Sequence, residues 1–157
     1  MTDIKSESFD WVFWFYWIMG TTLGWLVGRF LSSAIPVVVS GVAVSAFQWA
    51  VLYKRIPKAW RWMLLSSLGW ILGYILFVIF FSSWKGLVDG IILGGVTGIF
   101  QWIILRKEFG WSGWWIIVNI LAWTTGLVVI PGFLSSGALP GALTGLTLVI
   151  LFRYARL

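Results

Sequence analysis

The chain contains no cysteine and no histidine, and only 10% of its residues are charged. Without thiols it can form neither disulfides nor thiolate metal and redox sites. Without imidazole it lacks the commonest metal ligand and general base, and haem cannot be held through a histidine. Acidic residues are the scarcer sign, 5 against 11 lysines and arginines, and Asp3, Glu7 and Asp10 fall within the first ten residues. No carboxylate pair therefore lies inside the apolar stretches, and every lysine sits in the tail or near the end of one. Nucleophilic, acid–base and metal-assisted catalysis all lack their usual groups, and so does a retinal-type Schiff base. No catalytic residue and no metal ligand is expected, and the chain is read as not an enzyme.

What remains is overwhelmingly apolar: 61% hydrophobic residues and a mean hydropathy of +0.97. Uncharged stretches run from Trp11 to Gly28, Phe30 to Tyr53, Trp62 to Trp84, Gly90 to Leu105 and Phe109 to Phe152. About 20 helical residues at ~1.5 Å each cross a bilayer. The last stretch is too long for one crossing, and Pro131-Gly132 with Ser135-Ser136-Gly137 divide it. The expected fold is all-α and integral to a membrane. Six spans are predicted near 11–30, 35–53, 60–81, 86–105, 111–130 and 137–153, with connections short enough to force antiparallel neighbours. Residues 1–10 then form an acidic tail and 11–157 a six-span domain. Pro36, Pro57, Pro131 and Pro140 are expected at or near helix starts or in turns. The acidic tail is the wrong charge for a secretory leader, so the first helix is expected to be retained.

Net charge of +6 reads here as a topology signal and not as a nucleic-acid footprint. Lys54, Arg55, Lys58 and Arg61 follow span two, Arg106 and Lys107 follow span four, and Arg153 and Arg156 close span six. Only Arg29 and Lys85 fall on the other side. Basic loops stay cytoplasmic, so both chain ends are expected there, beside anionic lipid. Trp11, Trp14, Trp60, Trp111 and Trp114 form a belt at that interface.

One helical hairpin is written three times, over about 11–55, 60–107 and 111–153. Trp17-x3-Thr21-x3-Trp25-x2-Gly28 returns as Trp62-x3-Ser66-x3-Trp70-x2-Gly73 and as Trp115-x3-Asn119-x3-Trp123-x2-Gly126. These positions share one helical face. The second helices carry Gly41-x3-Ser45, Gly90-x3-Gly94-x3-Gly98 and Gly137-x3-Gly141-x3-Gly145, flat ridges on which another backbone can pack closely. Three residues further on come Gln48, Gln101 and Leu148; Trp49 and Trp102 follow the glutamines, and the third copy has lost both residues. The expected arrangement is three hairpins about a pseudo-threefold axis, with glycine ridges and tryptophan stripes meeting inside.

Gly94-x3-Gly98-x2-Gln101-Trp102-x2-Leu105-Arg106, followed by Trp114-Trp115-x7-Trp123-x2-Gly126, resembles the tandem pattern of an uncharacterised group of bacterial multi-span membrane repeat proteins. The resemblance covers most of 11–153. It implies a repeat membrane protein, and with it a bacterial inner or other energy-converting membrane, and brings no established activity.

Buried primary amides must find partners or cost several kcal/mol. Gln48 and Gln101 are thus either interhelical clamps or, with Asn119, Trp49 and Trp102, the lining of a pocket between repeats. Asp89 reads as a helix-start carboxylate, paired with Lys85 at i, i+4. Most of the 14 tryptophans are accounted for by the interface belt and by packing. The leading expectation is a non-enzymatic accessory or scaffold subunit of a larger membrane complex, partnered by lipids and other membrane subunits. The alternative is a binding or transport subunit for a small molecule, lipid or pigment. No other cofactor is expected.

Overall fold

A computed structural model of the chain describes residues 9–32, 35–81, 87–132 and 134–154. Among these the regular elements are all helical, joined by turns. The elements are α1 (Trp11–Leu31), α2 (Pro36–Leu52), α3 (Trp60–Leu76), α4 (Leu87–Leu105), α5 (Trp114–Thr124) and α6 (Ser135–Tyr154). π-helical turns at Phe77–Phe81 and Thr125–Val129 extend α3 and α5. Most of the acidic tail, Lys85 and Arg156 lie outside the described residues.

Three helical segments are long and apolar enough to cross a membrane: Trp60–Phe81, Leu87–Leu105 and Ser135–Tyr154. Pro36–Leu52 and Trp114–Val129 are apolar but shorter. The fifth helix starts at Trp114, later than its hydropathy suggests, because residues 110–113 continue the turn that follows α4. Pro140 lies near the start of α6, which begins at Ser135, but within the helix and past its first turn. Gly126 makes room for its ring: a Cβ there would lie 2.7 Å from the proline Cδ and 3.3 Å from the Ser136 carbonyl oxygen, the oxygen whose helical donor a proline cannot supply.

The helices form a closed ring in chain order. Each packs on its two neighbours in sequence, and α6 returns to α1. Within the first pair Gly20 faces Phe47, Gly24 faces Val44 and Gly28 faces Ser40, the falling register of antiparallel helices. At Gly28 the approach is backbone to backbone, and a Cβ would run into the Ser40 amide. Between α3 and α4 the approach at Gly73 is looser, the nearest atom being the Leu93 side-chain methyl, 3.3 Å from where a Cβ would lie.

The ridges of the even helices do not meet on the axis, contrary to the sequence expectation. They form the seams between one hairpin and the next. Gly90, Gly94 and Gly98 lie against Thr124, Asn119 and Ile116 of α5, and Gly137, Gly141 and Gly145 against Thr22, Ile18 and Trp17 of α1. Gly41 leaves the space that the Trp70 indole fills, while Ser45 returns its hydroxyl to the Gly41 carbonyl at 2.7 Å. The reason is spatial. Odd helices spend their axial faces on tryptophan, so the backbone approaches at Gly90, Gly94, Gly137 and Gly141 fall beside the indoles, while Gly41 and Gly145 meet an indole directly.

The distribution of polarity is inverted relative to a water-soluble bundle. Leu23, Leu64, Leu68, Ile117, Leu121 and Ile150 are exposed, whereas Thr21, Gln48, Ser66, Gln101, Asn119 and Thr144 are buried.

Candidate functional site

Two layers of indoles fill the axis, stacked because positions i and i+8 of the odd helices lie on one face about 12 Å apart. Nearer the basic end, Trp62 meets both Trp17 and Trp115 edge-on, with ring centroids 5.8 and 5.7 Å apart. In the other layer Trp123 meets Trp70 at 4.6 Å and Trp25 at 6.0 Å. Trp25–Trp123 is tilted, and the three edge-to-face pairs each contribute about 0.5–1.5 kcal/mol beyond their burial.

Between the layers lies a belt of buried polar groups that satisfy one another. The Trp62 indole N–H donates to Gln48 Oε1 at 3.1 Å, and Gln48 Nε2 donates to Thr21 Oγ1 at 3.1 Å. One hairpin on, the Trp115 indole donates to Gln101 Oε1 at 3.0 Å and Gln101 Nε2 to Ser66 Oγ at 3.0 Å. Each glutamine thus joins its own hairpin to the first helix of the next. In the third hairpin Leu148 offers no acceptor, and the Trp17 indole goes instead to Thr144 Oγ1 at 2.9 Å, one turn earlier on α6. Thr144 Oγ in turn donates to the Pro140 carbonyl at 2.6 Å. Asn119 takes a different part from Thr21 and Ser66, donating from Nδ2 to its own helix at Trp115 O, 3.1 Å away.

Of the residues expected to line a pocket between repeats, Gln48 and Gln101 are brought together, Gln101 Nε2 donating to Gln48 Oε1 at 3.5 Å. Among the described residues Asn119, Trp49 and Trp102 make no bond to either glutamine amide. Gln48, Gln101 and Asn119 face the filled axis and line none of the main cavities among the described residues. Trp49 is on the outside of α2, and Trp102 is partly buried beneath the Arg106 guanidinium, 5.0 Å from its ring.

The axis opens instead at the end away from the basic loops. A cavity of about 620 Å³ is bounded by residues from every helix or its immediate extension: Trp25, Arg29, Val37, Tyr74, Phe77, Asp89, Leu93, Leu127, Pro131, Gly132 and Ser136. Trp25 belongs to the second indole layer, so the floor is aromatic, while Arg29, Asp89, Tyr74 and Ser136 bring polar groups to an otherwise apolar wall. Phe77 and Leu127 come from the two π-helical turns, a geometry that recurs at functional sites. Asp89 occupies the first turn of α4, as the helix-start reading has it; its partner in that reading, Lys85, is outside the described residues. Thr144 and this vestibule escaped sequence reasoning. A threonine on the Gly141–Gly145 face was a legible signal for the former. The vestibule depends on six helix ends converging, which periodicity does not convey.

At the basic end Trp11, Trp60, Trp111 and Trp114 point outward, and the Trp14 indole donates to Ala142 O at 2.9 Å. Asp10 caps α1 by accepting from the Phe13 amide at 2.9 Å and pairs with Arg55 at 2.7 Å. Partial burial alone would raise its pKa, but the amide and the guanidinium together outweigh that and hold the carboxyl below its ordinary value.

Among the described residues no group of three or more acidic side chains is placed to hold a metal ion. Comparison with known proteins found no matching family model, no matching curated protein and no matching solved structure.

Proposed function

We propose that the chain is a non-enzymatic, six-span membrane protein, a rigid scaffold or accessory subunit that offers its outer faces to lipid and to other membrane subunits. The carrying observation is the inside-out polarity. Interior amides, hydroxyls and indoles bond to one another, and leucine and isoleucine cover the outside. Hydrocarbon rewards that arrangement and water penalises it. Three helices meet the length and hydropathy of a crossing outright. The 17-residue α2 sits at the short end of the ~17–25 residues a span needs, a mismatch that local thinning of the bilayer absorbs. The recurring Trp-to-Gln bond, with Thr144 as its substitute in the last hairpin, supports a pseudo-threefold repeat, and so does the resemblance to bacterial multi-span repeat proteins. The clustering of Lys54, Arg55, Lys58, Arg61, Arg106, Lys107 and Arg153 supports a cytoplasmic basic end in a bacterial inner or other energy-converting membrane. Purification from native membrane in mild detergent tests the scaffold reading. Stoichiometric co-purifying subunits are expected, and a partner-free monomer overturns it.

The vestibule supports a second reading, a binding or transport subunit for a small amphipathic molecule. In that version Arg29 and Asp89 meet the polar end of the ligand and the Trp25 layer its apolar body. Arg29→Leu would then abolish retention of a co-purifying small molecule while leaving thermal stability unchanged. Retention unaffected by the substitution removes this reading.

A further inference from the structure

Each hairpin bears a groove between its two helices at the basic end, and the three grooves are lined by corresponding residues. In the register that aligns Trp62 with Trp115 and Gln101 with Leu148, the α3–α4 groove presents Lys58, Arg61, Leu65, Ile103, Ile104 and Lys107. The α5–α6 groove presents Trp111, Trp114, Val118, Ile150, Leu151 and Tyr154 at those same positions. The floors are alike, but three cations in one are three aromatic rings in the other. Between α1 and α2 the groove is smaller, about 380 Å³ against about 560 Å³, and its one cation, Arg55, is already paired with Asp10.

Two of the three cations of the α3–α4 groove, Lys58 and Arg61, stand where a helix dipole disfavours them, although the Arg61 guanidinium lies over the Trp60 ring at 5.7 Å. Lys107 follows the C-terminus of α4, where a cation is favoured. Helix α3 begins at Trp60 without a side-chain cap, and the positive end of its dipole disfavours nearby cations. Lys58 and Arg61 nevertheless flank that terminus. Lys58 is moreover held at φ 53°, a left-handed conformation costly for a lysine, between Ile56 and Ala59, both buried. Glu108 also lines the groove, which leaves a rim of three positive charges and one negative. An anion at this rim relieves the repulsion. Directly below it, toward mid-membrane, Leu64 and Leu68 are about half exposed and continue the groove as an apolar channel.

We propose that the α3–α4 groove is a specific site for one anionic phospholipid of the cytoplasmic leaflet, its phosphate between Lys58, Arg61 and Lys107 and an acyl chain along Leu64, Leu65, Leu68 and Ile103. Charge complementarity selects the headgroup, and the channel selects a lipid over a soluble phosphate. Glu108 accepts a hydrogen bond from a hydroxylated headgroup such as glycerol. The site rests on the membrane reading proposed above, and on the basic end facing the cytoplasm for its choice of leaflet.

Native mass spectrometry of the full chain in detergent tests this, with phosphatidylglycerol and phosphatidylethanolamine as probes and glycerol phosphate as competitor. One phosphatidylglycerol is expected to be retained. Replacing Lys58, Arg61 and Lys107 by glutamine should weaken it at least about tenfold, given roughly 1 kcal/mol per basic residue near the surface. The matched control Lys54→Gln, Arg106→Gln, Arg153→Gln removes equal charge from the same end and should change retention less than about twofold. The reciprocal variant, Trp111→Lys, Trp114→Arg and Tyr154→Lys, should raise the stoichiometry to two and keeps the test decisive if the first variant misfolds. Equal loss in both glutamine variants, equal retention of phosphatidylethanolamine, or displacement by glycerol phosphate would each overturn the proposal.

Discussion

Toward the basic end the axis is shut by Trp17, Trp62 and Trp115, whose indole N–H groups all have acceptors on a neighbouring hairpin. Toward the other end the second indole layer is held by ring packing, and the helices then part around a cavity. Regular α-helix runs through the first half; both π-helical turns lie in the second. The contrast teaches that the polar residues most conspicuous in the sequence serve cohesion, and that the end with fewer interior hydrogen bonds is where a foreign molecule has room. Buried, saturated polar groups specify a structure; they are poor bait for ligands because nothing in them is left to bond.

Substitutions can break or sharpen that contrast. The largest effect is expected where two backbones touch. Gly28→Val drives side-chain carbon into the Ser40 backbone, and a cost above about 3 kcal/mol should appear as loss of a monodisperse species on size exclusion in detergent. Gln101→Leu comes next. It strands the Trp115 indole and removes a donor from Ser66, lowering stability by about 1–3 kcal/mol in detergent unfolding, yet it should leave any ligand of the vestibule in place. A smaller and more discriminating effect separates the second and third hairpins. Thr144→Val removes the Trp17 acceptor and should cost about 0.6–1.5 kcal/mol. The corresponding Thr97→Val should be neutral or better, because Thr97 Oγ1 is buried with no hydrogen-bond partner among the described residues. Equal effects would mean that the third hairpin is not sealed through its threonine.

The smallest effect belongs to Asp10, whose side chain is 36% exposed. Its folded pKa lies below the ordinary 3.8, so its stabilisation is present above that value and is lost as pH falls through the depressed one. Acid titration of thermal stability should show a small loss below pH 3.8 that Asp10→Asn abolishes, leaving the neutral-pH value slightly lowered.

The helices themselves were legible because uncharged length and a glycine or proline at each break leave few alternatives, and the six observed helices fall within a few residues of the expected segments. The Trp, small-polar, Trp face of the odd helices was legible too, since 3.6-residue periodicity projects it onto one stripe. What that stripe meets was not. A ridge of small residues states only that something comes close, and both an axis and a seam satisfy it; indole volume decided for the seam. That Pro140 falls past the first turn of α6 was not legible either, because a proline is tolerated there only where a neighbour makes room for its ring, and Gly126, which does so, belongs to the preceding helical segment. Gln48 and Gln101 announced a buried amide but not whether its partners were protein or ligand, a distinction that depends on the Trp62 and Trp115 indoles of the following hairpins. Trp49 and Trp102 were drawn into the candidate site by adjacency alone, and successive helical residues face different ways.

Because α6 docks on α1 as each helix docks on its successor, the starting point of the chain is a matter of convenience. Phe13 and Phe152 touch at 5.2 Å, so a short linker from the end of α6 to the start of α1 would close the polypeptide into a circle. New ends could then be cut in the α2–α3 or α4–α5 turn without undoing a single interhelical bond. Such rearranged genes would yield the same bundle entered by a different door, and the order in which the pairs are synthesised could be varied while the finished object stays constant.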